Sequence, residues 1–307
     1  MSMRYHHLAF LSAAAVLAAC SDTTGSGAEP QALSARQVEQ VAADVADESD
    51  EMMYGLMHDD ALMPTFAVET TPDVLASDRG APDRPGFDGV RRPLCATGTF
   101  GADADRDGIR DVTLTYTAAN CTFTLGANTL TLTGSIAITD IAPTVANRSY
   151  ELRYTDFTFD FVNGTDATKS FKSVRDGSRS VMQDADSIKQ VNAVTLERTY
   201  AGKTSTIAHD LTRIFRATGG ATLAGFGPLP SGTIDTKGTI TWSREGTTKT
   251  FTVSTPELLQ YDPSCQQRPR IVDGTLLLKL ANGGELTLEW TGCGQRPTKT
   301  YTPPPSA

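Results

Sequence analysis

The chain has 307 residues, with 27 basic and 36 acidic side chains and a formal net charge of −9. That length accommodates one large or two small domains. The acidic balance excludes the basic footprint of a nucleic-acid binder and is repelled by anionic lipid head groups.

At the amino end, Met1 to His7 carries Arg4 and no acid, and Leu8 to Leu17 is nearly all apolar. An apolar run this short cannot span a bilayer as a helix, but it suits the core of a secretory signal. Leu17-Ala18-Ala19-Cys20 then resembles a bacterial lipobox. The resemblance implies a lipoprotein precursor, with residues 1–19 removed and acyl chains carried by Cys20. The rival is an ordinary secretory signal with an incidental Cys20. Each buried CH₂ contributes roughly 0.8 kcal/mol, so two or more chains anchor a protein without a spanning helix. Ser21, rather than Asp, follows Cys20. By resemblance this implies a cell-envelope protein, sorted to the outer membrane where the organism has one.

Residues 20–33 are rich in Ser, Thr, Gly, Ala and Pro and predict a flexible tether. An amphipathic helix is expected over 34–60. Ser34 and Gln37 form a capping-box pattern. Val38, Val41, Val45, Met52 and Leu56 fall near helical spacing, with Asp44, Asp47, Glu48, Asp50 and Glu51 on much of the opposite face. Such a helix packs on its own domain or plugs a sheet. Residues 61–93 hold five prolines, from Pro64 to Pro93, and read as an irregular connector.

From about residue 94 to 294 the hydrophobic period is two. Leu130, Leu132, Ile136 and Ile138 alternate with Thr and Ser, and Phe157, Phe159 and Phe161 alternate with Asp and Thr. Leu276, Leu278 and Leu280 are followed by Leu286, Leu288 and Trp290. These are half-buried strands, separated by Asn163-Gly164, Asp176-Gly177, Ala201-Gly202, Glu245-Gly246 and Asn282-Gly283 as turns. The fold class is therefore mainly β: an antiparallel meander of roughly a dozen strands, curled into a curved sheet, half-barrel or barrel. The apolar phase slips between Tyr154 and Phe157, which predicts a bulge. The Pro-rich segment 295–307 is expected to be a disordered tail.

Four cysteines remain besides Cys20. An exported chain favours disulfides over a four-cysteine zinc site, since no Cys-x-x-Cys knuckle occurs. Each of the pairs Cys95–Cys121 and Cys265–Cys293 brackets a predicted hairpin, whose open ends lie close enough to bridge.

The sharpest motif in the body is Asp103-Ala104-Asp105-Arg106-Asp107-Gly108-Ile109-Arg110-Asp111. It looks like the Asp-x-Asp-x-Asp-Gly loops of calcium-binding repeats. That resemblance implies Asp103, Asp105, Asp107 and Asp111 as side-chain ligands and Ile109 as a carbonyl ligand for Ca²⁺. Leu114 stands where an EF-hand has its bidentate Glu, so a non-helical extracellular loop is the nearer likeness. A solvated acidic hairpin tip is the alternative.

Catalysis has little support. Beyond the signal only His58 and His209 remain, and no Gly-x-Ser-x-Gly or phosphate-binding loop occurs. Two readings stay open. One is a non-enzymatic protein binding an apolar or lipid ligand on a concave sheet face. The other is a structural or adhesive surface lipoprotein with a filled core. A cavity lined by Leu130, Phe157, Phe159 and Trp290 would separate them.

Overall fold

A computed structural model describes residues 32–45, 95–107, 109–223, 229–267 and 270–305. Cys20, the tether as far as residue 31, the distal helix 46–60 with His58, the connector 61–93 and Gly108 lie outside the described residues.

Among the described residues, the body is one antiparallel sheet of thirteen strands. Its strands are β1 (Thr97–Phe100), β2 (Val112–Tyr116), β3 (Thr122–Leu125), β4 (Asn128–Asp140), β5 (Tyr150–Val162), β6 (Phe171–Gln183) and β7 (Ser187–Tyr200). They continue with β8 (Lys203–Ala217), β9 (Gly232–Arg244), β10 (Thr247–Tyr261), β11 (Ile271–Leu280), β12 (Glu285–Trp290) and β13 (Thr298–Thr302). From β4 onward each strand pairs with the next. β2 and β3 share one flank of β4: β2 pairs with residues 134–138 and β3 with 128–131. Among the described residues β1 and β13 do not pair, so the sheet is open rather than a closed barrel.

Alternation decides which face is inside. On β8, Ile207, His209, Leu211, Arg213 and Phe215 are buried, while the residues between them are partly or fully exposed. The same period runs through β2, β4, β11 and β12, and one hydrophobic cluster joins the inner residues of β2 to β12. Open sheets of this many strands are expected to curl.

The phase slip predicted near Tyr154 is a bulge. Pairing between β4 and β5 shifts at Gly134, and Asp156 adopts φ +46°. Tyr154 and Phe157 thereby both reach the buried face, their ring centroids 6.3 Å apart. Beside this bulge lies the first correction. Asp176-Gly177, expected as a turn, lies inside β6. Gly177 pairs with Tyr154 on one side and Val194 on the other. Its φ is +113°, and a Cβ there would lie 2.1 Å from the Ala193 carbonyl oxygen. The glycine allows close backbone approach and bends the sheet instead of reversing the chain. Ala201-Gly202 and Glu245-Gly246 do form tight hairpins, with positive φ at all four residues.

A second correction concerns the carboxyl end. The segment expected to be disordered contains β13, paired along β12. Pro297 and Pro303 flank this strand, so neither removes a donor from its interior. The Tyr301 ring packs on the core, and its hydroxyl accepts the Leu33 N–H at 3.0 Å.

The helix α1, residues 35–45, has the predicted capping box. The Ser34 N–H donates to Gln37 Oε1 at 2.9 Å, and the Gln37 N–H donates to Ser34 Oγ at 3.3 Å. Val41, Ala42 and Val45 join the core. The Trp242 Nε1–H donates to Asp44 Oδ2 at 2.9 Å, and Glu39 pairs with Lys299. These contacts dock α1 on β9 and β13.

Cys95 and Cys121 are bridged, with Cα atoms 4.9 Å apart, and Cys265 and Cys293 with Cα atoms 5.6 Å apart. The first bridge ties the start of β1 to the break between β2 and β3. The second closes the open end of the β11–β12 hairpin.

Candidate functional sites in the acidic loop and the inner wall

The loop between β1 and β2 brings Asp103, Asp105 and Asp107 together, with one carboxylate oxygen of each within 4.8 Å of the others. Local backbone bonds hold it. Asp105 Oδ1 accepts the Asp107 N–H at 3.3 Å, and Asp107 Oδ1 accepts the Ile109 N–H at 2.7 Å. Arg106 turns the chain with φ +63°. Ile109 sinks its side chain into the core, which anchors the loop. Asp111 stands outside the triad, and its Oδ1 accepts the Asp140 N–H at 3.0 Å.

Two residues missed by sequence reasoning complete this end. The Asn147 N–H donates to Asp107 Oδ2 at 3.3 Å, and Asp140, at the end of β4, lies in the field of Asp103, Asp105 and Asp111. Burial, then the neighbouring Asp105 and Asp140, push the Asp107 carboxyl above its ordinary range, against the two backbone bonds. Asp140 is pushed up likewise, by burial first and then by the same cluster. Only the chain crossing from β4 to β5 brings these residues to the loop, and no local motif marks them.

The inner wall of β6 to β9 is the second site. Among the described residues the buried charged side chains are Arg148, Arg175, Arg179 and Arg213, and no Asp or Glu is buried. Gln190 on β7, Arg213 on β8 and Thr236 on β9 are direct cross-strand partners, so they form one row on the buried face. The next row holds Arg179 and Asn192, and the one beyond it His209 beside Val194 and Ile240. Arg175 lies past that, its guanidinium 5.3 Å from the Tyr154 ring centroid. Gln190 and Thr236 are each 1% exposed and His209 is 4% exposed. Among the described residues, the Gln190 amide, both imidazole nitrogens and the Thr236 hydroxyl have no hydrogen-bond partner. The Tyr116 hydroxyl and the Trp290 N–H, also on buried strand positions, share that condition.

Burial dominates the titration of this wall. It holds the His209 imidazole down at about 3, helped by Arg213 and then by Arg175 and Arg198. The Val194 carbonyl pulls the other way without hydrogen-bonding geometry. His209 is therefore neutral at pH 7 and sits in a positive field. Burial also pushes the Tyr116 hydroxyl up to about 12.

Leu130, Phe157, Phe159 and Trp290, the expected lining of a ligand cavity, are all buried in the shared core. No protein-family signature, characterised protein or solved structure matches this chain. Its function is read from these two sites.

Proposed function

We propose that this chain is a lipid-anchored protein of the cell envelope that binds an apolar or lipid ligand against the inner face of its sheet, without catalysing a reaction. The anchor is Cys20, and its support is the Leu17-Ala18-Ala19-Cys20 pattern after a short apolar run. Burial of Leu130, Phe157, Phe159 and Trp290 in the shared core speaks for the structural alternative, and one observation speaks for binding. The wall buries unpartnered polar groups at Gln190, His209 and Thr236, alongside the buried Asn192, Arg175, Arg179 and Arg213. An unsatisfied buried polar group costs about 1–3 kcal/mol. A wall meant only to be filled gains nothing from them, whereas a ligand offering complementary atoms satisfies them.

The acidic loop supports a second, subsidiary reading as a brace for a hard cation such as Ca²⁺. Three carboxylates converge there with Asp140 and Asp111 close by, and burial with mutual repulsion raises Asp107 and Asp140, which a bound cation would relieve. Residues Asp103, Asp105 and Asp107 are the side-chain ligands in this reading.

Native mass spectrometry of the chain purified from its host membrane tests all three parts. The expected result is a diacyl or triacyl mass on Cys20, a co-purifying apolar molecule, and a mass loss on chelation. A protein that carries no apolar molecule, and takes up none from added lipid extract, is a structural lipoprotein and overturns the binding reading.

A further inference from the structure

The two ends of the sheet differ in chemistry. β4 runs from Asn128 at one end to Asp140 at the other. The acidic loop, with Asp103, Asp105 and Asp107, stands at the Asp140 end, since Val112 just after it pairs with Ile138. At the Asn128 end an aromatic row crosses five strands. Phe123, Leu130, Phe161, Phe171 and Tyr200 are successive cross-strand partners on the inner face. The row emerges from the core as it goes. Leu130 is buried, Phe161 and Phe171 are partly buried with ring centroids 6.0 Å apart, and Tyr200 is 60% exposed. Val162, on the outer face beside Phe161, is 48% exposed. Half-exposed aromatic rings suit the head-group layer of a bilayer, which accommodates an apolar body and a polar tip together.

Exposed apolar residues alone do not choose the end, because Ile141 and Val145 are exposed near Asp140. Charge and the entry of the chain do. Ile141 and Val145 adjoin the acidic cluster, which lipid phosphates repel. At the Asn128 end Asp166 pairs with Lys169 at 3.4 Å and Glu245 with Lys203 at 2.9 Å. The described chain also enters the body there. The Leu33 N–H donates to Tyr301, whose cross-strand partner Leu286 follows the Asn282-Gly283 turn, and Arg36 lies 3.9 Å from Glu245. Ala32 is twelve residues from Cys20, a span of at most about 43 Å when fully extended. β4 has 13 residues and at about 3.3 Å each is itself about 43 Å long. Presenting the acidic end to a membrane that holds Cys20 would use all of that reach, whereas the Asn128 end needs little of it.

We infer that the body stands on the bilayer by its Asn128 end, with Tyr200, Phe171, Phe161 and Val162 at head-group depth and the acidic loop held away from the surface. This rests on the proposed acyl anchor at Cys20 and specifies which surface of the body meets the lipid.

Tyr200→Trp and Val145→Trp each add an indole at an exposed position, one at either end, and the native chain gives the background from the buried Trp242 and Trp290. Each acylated chain, purified from its host, is reconstituted into phosphatidylcholine vesicles, either plain or brominated near the head of the acyl chain. Bromine quenches indole fluorescence on contact. The emission added by Tyr200→Trp is expected to fall at least about twofold in the brominated vesicles, and that added by Val145→Trp to stay unchanged. If Tyr200→Trp does not fold, Val162→Trp supplies the same comparison. Chains that float with the vesicles while Val145→Trp is quenched as strongly, or while neither is quenched, overturn this orientation and leave the anchor standing. Chains that carry no acyl group and do not float overturn the anchor and the orientation together.

Discussion

Gly177→Ala tests whether the inner wall owes its curvature to backbone contact. Gly177 sits in mid-strand at φ +113°, a region closed to residues with a Cβ. Holding alanine in such a region costs about 1–3 kcal/mol. The added methyl would also lie 2.1 Å from the Ala193 oxygen and 3.0 Å from the Val194 Cα, so β6 and β7 must separate locally. Each ladder hydrogen bond lost in that separation adds about 1 kcal/mol. The expected total is about 3 kcal/mol. In a domain of this size each kcal/mol shifts Tm by about 2–4 °C, so the fall is about 6–12 °C. Gly246→Ala is the control. It also replaces a glycine with positive φ, at +77°, but its Cβ would meet nothing within 4 Å. Left-handed alanine alone costs about 1–2 kcal/mol, so this variant loses only a few degrees. Thermal melts followed by tryptophan emission decide the matter, since both indoles lie on the buried face. If the two variants melt together, close packing between β6 and β7 does not set the bend.

The second disulfide closes a sequence separation of 28, and Cys265→Ser with Cys293→Ser should cost about 3 kcal/mol in urea unfolding; an unchanged midpoint would show that the β11–β12 hairpin holds without it. Asp107 has a folded pKa raised above its unfolded value of 3.8, so the folded state is relatively stabilised as pH falls from neutral toward 3.8. Asp107→Asn should therefore raise Tm at pH 7 in chelator and remove any rise caused by millimolar calcium. A full calcium response in that variant would remove Asp107 from the cation site. His209 behaves in the opposite sense. Its folded pKa of about 3 lies below the unfolded 6.5, so the unfolded chain takes up the proton first. Stability is full above pH 6.5 and falls toward pH 3, with a slope of at most about 1.4 kcal/mol per pH unit. His209→Gln should flatten that part of the pH–stability curve, and an unaltered slope would mean that the imidazole is protonated in the folded protein.

Period-two alternation exposed most of this fold, because in a strand it is a geometric consequence of the pleat and needs no tertiary information. The slip from Tyr154 to Phe157 located a bulge for the same reason. Asp176-Gly177 misled because the dipeptide reports only that φ is free to be positive. Whether that freedom serves a turn or a close approach to Ala193 depends on a strand that comes later in the chain. The tail misled because its prolines mark the limits of β13, while the Thr298–Thr302 pattern between them is too short to stand without the edge of β12. In the acidic loop, Asp103, Asp105 and Asp107 were legible from spacing. Asp140 and Asn147 arrive from another connection, and Asp111 was drawn away to the Asp140 backbone.

The inner wall was the least legible part, although its signs lie in the alternation itself. Gln190 and Asn192 occupy inward positions between Ile188 and Val194, and Arg213 lies between Leu211 and Phe215. A sequence selected only for stability would fill such positions with aliphatic side chains, and departures from that rule concentrate where function demands them. Thr236→Val makes this quantitative. The two side chains are nearly the same shape, Thr236 is 1% exposed, and its hydroxyl has no partner. Removing a buried unsatisfied hydroxyl returns about 1–3 kcal/mol, so the ligand-free variant should be more stable than the native chain. Higher stability is the outcome expected where an inward position departs from the apolar pattern. A loss of stability would mean that the Thr236 hydroxyl already finds a partner within the folded chain.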